Sequence, residues 1–300
     1  MSTRTDIVNR RLLKKDKNVE SFWANVFKQF KRNKLAVVST YIVLAIVLAC
    51  IIVPMVSPYS LEQTDTANRA QAPSRSHWLG TDNIGRDLFT RLFIGGRISL
   101  GIALAVVTLE CIIGIVLGTL AGYYGGIVDG IIMRISDIFL CFPFLIICIV
   151  IVSIFSSGPA TLILTLSILS WPSIARIVRA QILSLRELEY MEACEALGIS
   201  DFKRMFRHLL PNVMAYIIVY ATLGIAATIL TETSLSFLGL GIRFPIPTWG
   251  NLIQPARELV VIQKYWWYWM PSGIAIFLTV MCCNIIGDAL RDAVDPKMKR

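Results

Sequence analysis

LAVVSTYIVLAIVLACIIVPMV, residues 35–56, runs for 22 positions without a charge. At about 1.5 Å of rise per residue it makes a helix about 33 Å long, which matches the hydrocarbon thickness of a bilayer. Four blocks downstream read the same way. Ile98 to about Gly122 is a second span, interrupted by Glu110, and residues 138–175 form an uncharged run far too long for one crossing. Gly158-Pro159 is a turn signal that divides that run into span three, starting near Asp129 to Asp137, and span four, ending near Arg176. The fifth runs from about Asn212 to Gly239 with Glu232 near its end, and the sixth from about Trp267 to Ile286. The predicted fold class is all-α, a polytopic membrane protein of six transmembrane helices.

Composition points the same way. The chain is 55% hydrophobic and 16% charged, with a mean hydropathy of +0.65. These values exclude a pair of soluble domains, a secreted disulfide scaffold, a disordered regulator and a cytosolic enzyme with a conventional core. The net charge of +9 has no soluble basic domain to carry it, so it reflects membrane topology rather than nucleic-acid binding. With both termini cytoplasmic, 21 Lys and Arg fall inside and 8 outside, as the positive-inside rule favours. Six of the seven cysteines sit in apolar blocks and Cys194 in a polar loop, so neither a disulfide framework nor a structural zinc site is expected. The polar, basic first 34 residues carry no signal-peptide pattern, so the first span is expected to be retained.

The expected organisation is a cytoplasmic tail over residues 1–34, a first helix over 35–56, an external loop over 57–97, a five-helix core over 98–290 and a cytoplasmic tail over 291–300. Within the first tail, Phe22, Trp23, Val26, Phe27 and Phe30 recur at helical spacing while Lys28, Lys31 and Arg32 take other faces. That pattern describes a helix lying in the membrane interface, or alternatively a docking surface for another subunit.

About 35 cytoplasmic residues, 177–211, separate spans four and five where a few would do, and they have internal order. Glu187 to Leu197 consists of good helix formers, Gly198 follows as a left-handed stop, and Ser200 stands as an N-cap before Asp201. In the second segment Phe202, Met205, Phe206, Leu209 and Leu210 share one face, Lys203, Arg204 and Arg207 take others, and Pro211 is expected to end the helix.

Here the sequence resembles a known family. Glu192-Ala193-Cys194, then Gly198, then His208 and Leu210-Pro211, are similar in identity and spacing to the cytoplasmic EAA loop of ABC importer permeases, with Cys194 where the family usually has alanine. His208 resembles the peptide and nickel branch. So do His77 to Asp87, Ser236 to Gly241, and Gly287 to Pro296, and the likeness is greatest to C-type oligopeptide permease subunits. The resemblance implies a non-catalytic inner-membrane subunit that translocates peptides, oligopeptides foremost, with dipeptide, glutathione or nickel permeases of the same family as alternatives. It implies a second homologous permease, two ATP-binding subunits holding ATP and Mg, and an external substrate-binding protein. It also implies a coupling role for Glu192, Ala193, Cys194, Glu195, Gly198, His208, Leu210 and Pro211. Glu192 and Glu195 would offer acceptors to the ATPase, Ala193 and Cys194 would permit close approach, and Gly198 would set the angle.

The residues outside this loop leave two readings each. Glu110, Gly114, Gly118, Gly122 and Gly126 follow one another at i, i+4, so a carboxyl and a glycine ladder lie along one line of the second helix. Glu110 and Glu232 serve either helix packing or the translocation path. In the external loop, Thr81 or Asp82 is available to cap a short helix toward Ile94, and Arg86 and Asp87 either pair with each other or meet a binding protein. Trp249, Trp266, Trp267 and Trp269 suit an interfacial aromatic belt, with peptide stacking as the alternative. There is no phosphate-loop motif, zinc-protease motif or nucleophile elbow, so neither a resident ATPase nor a metal or catalytic set is expected, and any ATP chemistry would come from a partner. The competing class is a proton- or ion-driven secondary transporter, which calls for an internal repeat with broken midplane helices and no long docking loop.

Overall fold

The computed structural model describes residues 22–155 and 158–294. The sequence expectations for residues 1–21, Asp295-Pro296 and the end of the C-terminal tail lie outside those bounds. Among the described residues the chain is almost wholly helical. An amphipathic α1, Phe22–Arg32, precedes α2, Lys34–Val56, which Asn33 caps by accepting from the Ala36 amide at 3.2 Å. Next come α3, Leu88–Tyr124, then α4, Gly126–Cys141, α5, Phe144–Ile154, and α6, Pro159–Arg186. The loop after it holds α7, Glu189–Ala196, and α8, Asp201–Lys203, which runs on through a π-helical turn, Arg204–Leu209, into α9, Leu210–Phe237. Short α10, Trp249–Ile253, and α11, Leu259–Lys264, lead to α12, Met270–Val294.

Five helical stretches are long and apolar enough to cross a membrane, and the α4–α5 pair makes a sixth only as a broken span, bent by 85°. The third span expected from the sequence is thus this bent pair. Pro143 stands at the break as the N-cap of α5; its ring has no N–H to give and disfavours helical geometry in Phe142, which is extended.

Three helix limits also differ from the hydropathy reading. α3 begins at Leu88 rather than Ile98, because Asp87 caps it by accepting from the Thr90 amide at 2.8 Å. Arg91 and Arg97, which hide this start from a hydropathy window, lie inside the helix. Span four continues ten residues past Arg176 to Arg186. Pro211 does not end the second loop helix. Helical structure is continuous from Asp201 to Phe237, and the wider π turn lies just before the proline, where its missing N–H leaves no i−4 bond to make.

The core is built around the contact between α3 and α6, with α9 packed on both and α12 on α9. The glycine ladder explains that closeness. A Cβ at Gly114 would overlap the Ile174 side chain, one at Gly118 would come within 2.9 Å of Val178, and one at Gly122 within 2.8 Å of Ile182. Gly126 leaves the ladder: it begins α4 with φ +52° and a Cβ there would meet nothing within 4 Å. One end of the bundle gathers Tyr124, Arg186, the α7–α8 loop, and a cluster of Val26, Ala215, Ala293 and Val294 that clamps α1 to α9 and α12. The other end carries the loop after α2 and the α10–α11 region, joined by Leu88, Leu252, Val261, Trp267 and Tyr268.

Candidate functional site

The loop between α6 and α9 is a docked, two-sided structure. Met191 and Cys194, three apart on α7, are both buried, and Met191 joins a cluster with Ile174, Val178 and Ile182 of α6 and Leu209, Val213 and Ile217 beyond. This burial fixes the orientation of α7. Glu192, Ala193, Glu195 and Ala196 are left exposed, and Leu197 is 78% exposed. Cys194 therefore faces inward, and its small side chain serves packing against the bundle rather than approach to a partner. Leu197, an apolar residue open to solvent on the same surface, was not singled out by the motif.

Gly198 has φ +69° and closes α7 with two bonds, Ile199 N–H to the Cys194 carbonyl at 3.1 Å and Gly198 N–H to the Glu195 carbonyl at 2.9 Å. This is the Schellman arrangement, which favours glycine for its left-handed backbone. Ser200 stands at the N-cap position of α8, but its hydroxyl makes no capping bond.

A staple across that corner was not visible in the sequence. Arg204 donates to Glu195 Oε2 at 3.0 Å and to Asp201 Oδ1 at 2.6 Å, and Asp201 Oδ1 accepts the Tyr123 hydroxyl at 2.9 Å. The guanidinium lies 5.7 Å from the Tyr123 ring centre. One arginine thus links α7, α8 and the end of α3. Glu195 is partly spent on this staple, whereas Glu192 makes no ion pair among the described residues. Arg186 adds a second tie, donating to the Gly122 and Tyr123 carbonyls at 3.1 and 3.2 Å, where the last carbonyls of α3 lack helical partners. Bonds from Arg179 to Asp129, and from Arg176 to Asp137 at 2.5 Å, hold α4 to α6.

In the second segment the expected single apolar face splits. Met205 and Leu209 are buried, while Phe202 and Phe206 stack on each other outside, ring centres 4.6 Å apart. The π turn rotates successive side chains by less than an α-helix would and separates the two pairs. His208 is half-buried and its carbonyl accepts from Asn212 at 2.7 Å, Leu210 packs under the loop cluster, and Pro211 is exposed.

The remaining sequence-flagged residues fall elsewhere. Glu110, on α3, is 3% exposed and lies against Ser170 of α6 and Gly224 of α9. Glu232 is 1% exposed and accepts from Ser236 at 2.7 Å, Thr248 at 2.9 Å and Ser99 at 3.5 Å, which ties α9, α3 and the loop before α10 together. Arg86 and Asp87 do not pair. Arg86 binds Asp82 at 2.6 Å, and Asp87 binds His77 at 3.0 Å while capping α3, a role expected of Thr81 or Asp82. The aromatic-belt reading fails for Trp249 and Trp267. Both are buried, and Trp249 donates its indole N–H to the Leu92 carbonyl at 3.0 Å.

The architecture is that of a multi-pass helical membrane protein with a two-helix surface docked at one end of the bundle. Residues 114–300 match the family of inner-membrane components of binding-protein-dependent transport systems, and residues 21–73 match the N-terminal transmembrane domain of oligopeptide transport permease C. The chain belongs to this family: it is a permease subunit of an ABC importer.

It is 43% identical to the dipeptide transport system permease protein DppC of Alkalihalophilus pseudofirmus over 92% of this chain and 90% of that one. It is 41% identical to the glutathione transport system permease protein GsiD of Pectobacterium atrosepticum, over 95% and 94%, and 38% identical to the oligopeptide transport system permease protein OppC of Bacillus subtilis, over 93% and 91%. Among solved structures, the inward-facing MetNI methionine ABC transporter aligns with a TM-score of 0.54 and 19% identity, covering 68% of this chain and 96% of that chain. That likeness concerns the fold.

Proposed function

We propose that this subunit passes peptides inward, oligopeptides foremost, through a path formed with a second homologous permease. Two ATP-binding subunits hold ATP and Mg and supply the hydrolysis, and an external binding protein delivers the solute. Both termini and the α7–α8 loop face the cytoplasm. The observation that carries the reading is the two-sidedness of α7. Its inner face is locked by Met191 and Cys194, and its outer face offers Glu192, Ala193, Ala196 and Leu197 with no cover from the described residues. An ATPase groove seated there would push on a body that Arg204 and Arg186 fasten to α3. Closure of two such ATPases would then swing the attached helices between inward- and outward-facing arrangements.

The peptide reading is supported by relatives named for dipeptide, oligopeptide and glutathione transport, each similar over nine-tenths of its length. It is tested by reconstituting the full assembly in proteoliposomes with its binding protein. ATP-dependent accumulation of a labelled tripeptide is expected, with glutathione competing poorly. Uptake that persists without the ATP-binding subunits, driven by an ion gradient, would put the chain among secondary transporters.

A further inference from the structure

At the end of the bundle opposite the α7–α8 loop lies a cavity of about 960 Å3, between the start of α3, the loop before α10 and the α11 region. Its walls include Phe244, Tyr265 and Tyr268, and its charged groups are Arg86, Arg91 and Arg257 against Asp82 and Glu258. Arg86 is satisfied by Asp82. Arg91 is not. It is 1% exposed, its Nη2 bonds the Pro245 carbonyl at 3.4 Å, and its Nε and Nη1 have no hydrogen-bond partner among the described residues.

Two further facts deepen the deficit. Arg91 sits at the end of the first turn of α3, the positive end of the helix dipole. The Asp87 carboxylate that caps this turn is already engaged by Thr90 and His77. Asp82, bonded to Arg86, acts on Arg91 only through space, the Phe244 ring centre lies 6.0 Å from the guanidinium, and no carboxylate among the described residues forms an ion pair with it. An anion entering the cavity beside Arg91 would supply the acceptors that the described residues do not.

We propose that this cavity is a carboxylate-binding site for a small solute, with Arg91 as its anchor. The inference rests on the peptide reading, because a linear peptide brings a free C-terminal carboxylate. The cavity has the volume of a small-molecule pocket, and it mixes aromatic walls with a few charged groups, as such pockets do. The Tyr268 hydroxyl, neutral at physiological pH as tyrosines ordinarily are, adds a hydrogen-bond donor to the lining. A buried anchor also suits a ligand that enters the cavity better than an acidic side chain on a folded surface pressed against its rim.

The test measures calorimetric binding of trialanine and of trialanine amide to the intact four-subunit assembly in nanodiscs, without binding protein. Trialanine is expected to bind at least tenfold more tightly than the amide. Arg91→Met should cut that preference to under twofold, and Arg91→Lys should keep part of it. Equal affinity for acid and amide in the unaltered protein, or an undiminished preference in Arg91→Met, would overturn the site. An effect of Arg91→Met seen only with binding protein present would overturn it too, by assigning the anion to that protein. Should Arg91→Met fail to assemble, Val260→Trp, which narrows the cavity from an exposed wall position, is expected to weaken trialanine tenfold, and unchanged binding counts against the site. ATP-driven trialanine uptake by the unaltered transporter separates the two readings: uptake without acid–amide discrimination sinks the site alone, and no peptide uptake sinks the substrate class.

Discussion

Gly198 and Glu232 show two ways in which one residue holds this molecule. At Gly198 the constraint is conformational, because a Cβ there would meet nothing within 4 Å, yet φ is +69°. Gly198→Val is expected to strain the corner by about 1–2 kcal/mol, abolishing uptake while membrane insertion stays normal, as read by fractionation and transport in parallel. Normal uptake would remove the corner from the mechanism. Glu192→Lys should give the same phenotype through charge rather than backbone. At Glu232 the constraint is a buried network, and Glu232→Leu strips the Thr248 and Ser236 hydroxyls of their acceptor. A loss of roughly 1–3 kcal/mol is expected, measured as a lower unfolding temperature of the purified assembly; an unchanged temperature would show that the network contributes nothing. Gly198 was legible in the sequence because a left-handed helix stop is a local signal. The partners of Glu232, on Ser99 and Thr248, are set by tertiary packing and were not.

At the scale of elements, the α7–α8 pair works as a lever only if it is fastened to the spans. Arg204 does this by joining Glu195, Asp201 and, through Asp201, Tyr123, which lies 78 positions earlier in the chain. Arg204→Met is expected to leave basal ATP hydrolysis of the assembly within twofold while cutting its stimulation by loaded binding protein at least fivefold, and Arg204→Lys should restore part of it. Equal loss of basal and stimulated rates would indicate a merely structural role. The contrast between what was and was not readable follows the same line. Span existence, the Gly158-Pro159 turn and the glycine ladder follow from periodicity and local punctuation. The start of α3 was missed because Arg91 and Arg97 depress the hydropathy of a stretch that Asp87 nonetheless caps. The 85° break was missed although Pro143 marks it, because a proline inside an uncharged run bends or tolerates the helix according to its neighbours.

Across the whole molecule, the two ends of the bundle carry different equipment: a stapled helical surface at one and a cavity with three arginines and two acidic residues at the other. In the proposed orientation, solute enters at the end with the arginine-bearing cavity and force is applied where α7 faces out. The topology is checked with single cysteines placed at Ser200 and at Ser74 in a variant whose exposed Cys141 is replaced by serine. Membrane-impermeant maleimide applied to intact cells should label Ser74→Cys and spare Ser200→Cys, and the reverse pattern would invert the orientation. The central claim, that the outer face of α7 is where an ATP-binding subunit pushes, is tested most directly by a photo-cross-linking amino acid at Leu197 in an assembly that still transports. The account predicts adducts to the ATP-binding subunit whose yield changes when ATP is added. Adducts to lipid alone, with uptake intact, would contradict it.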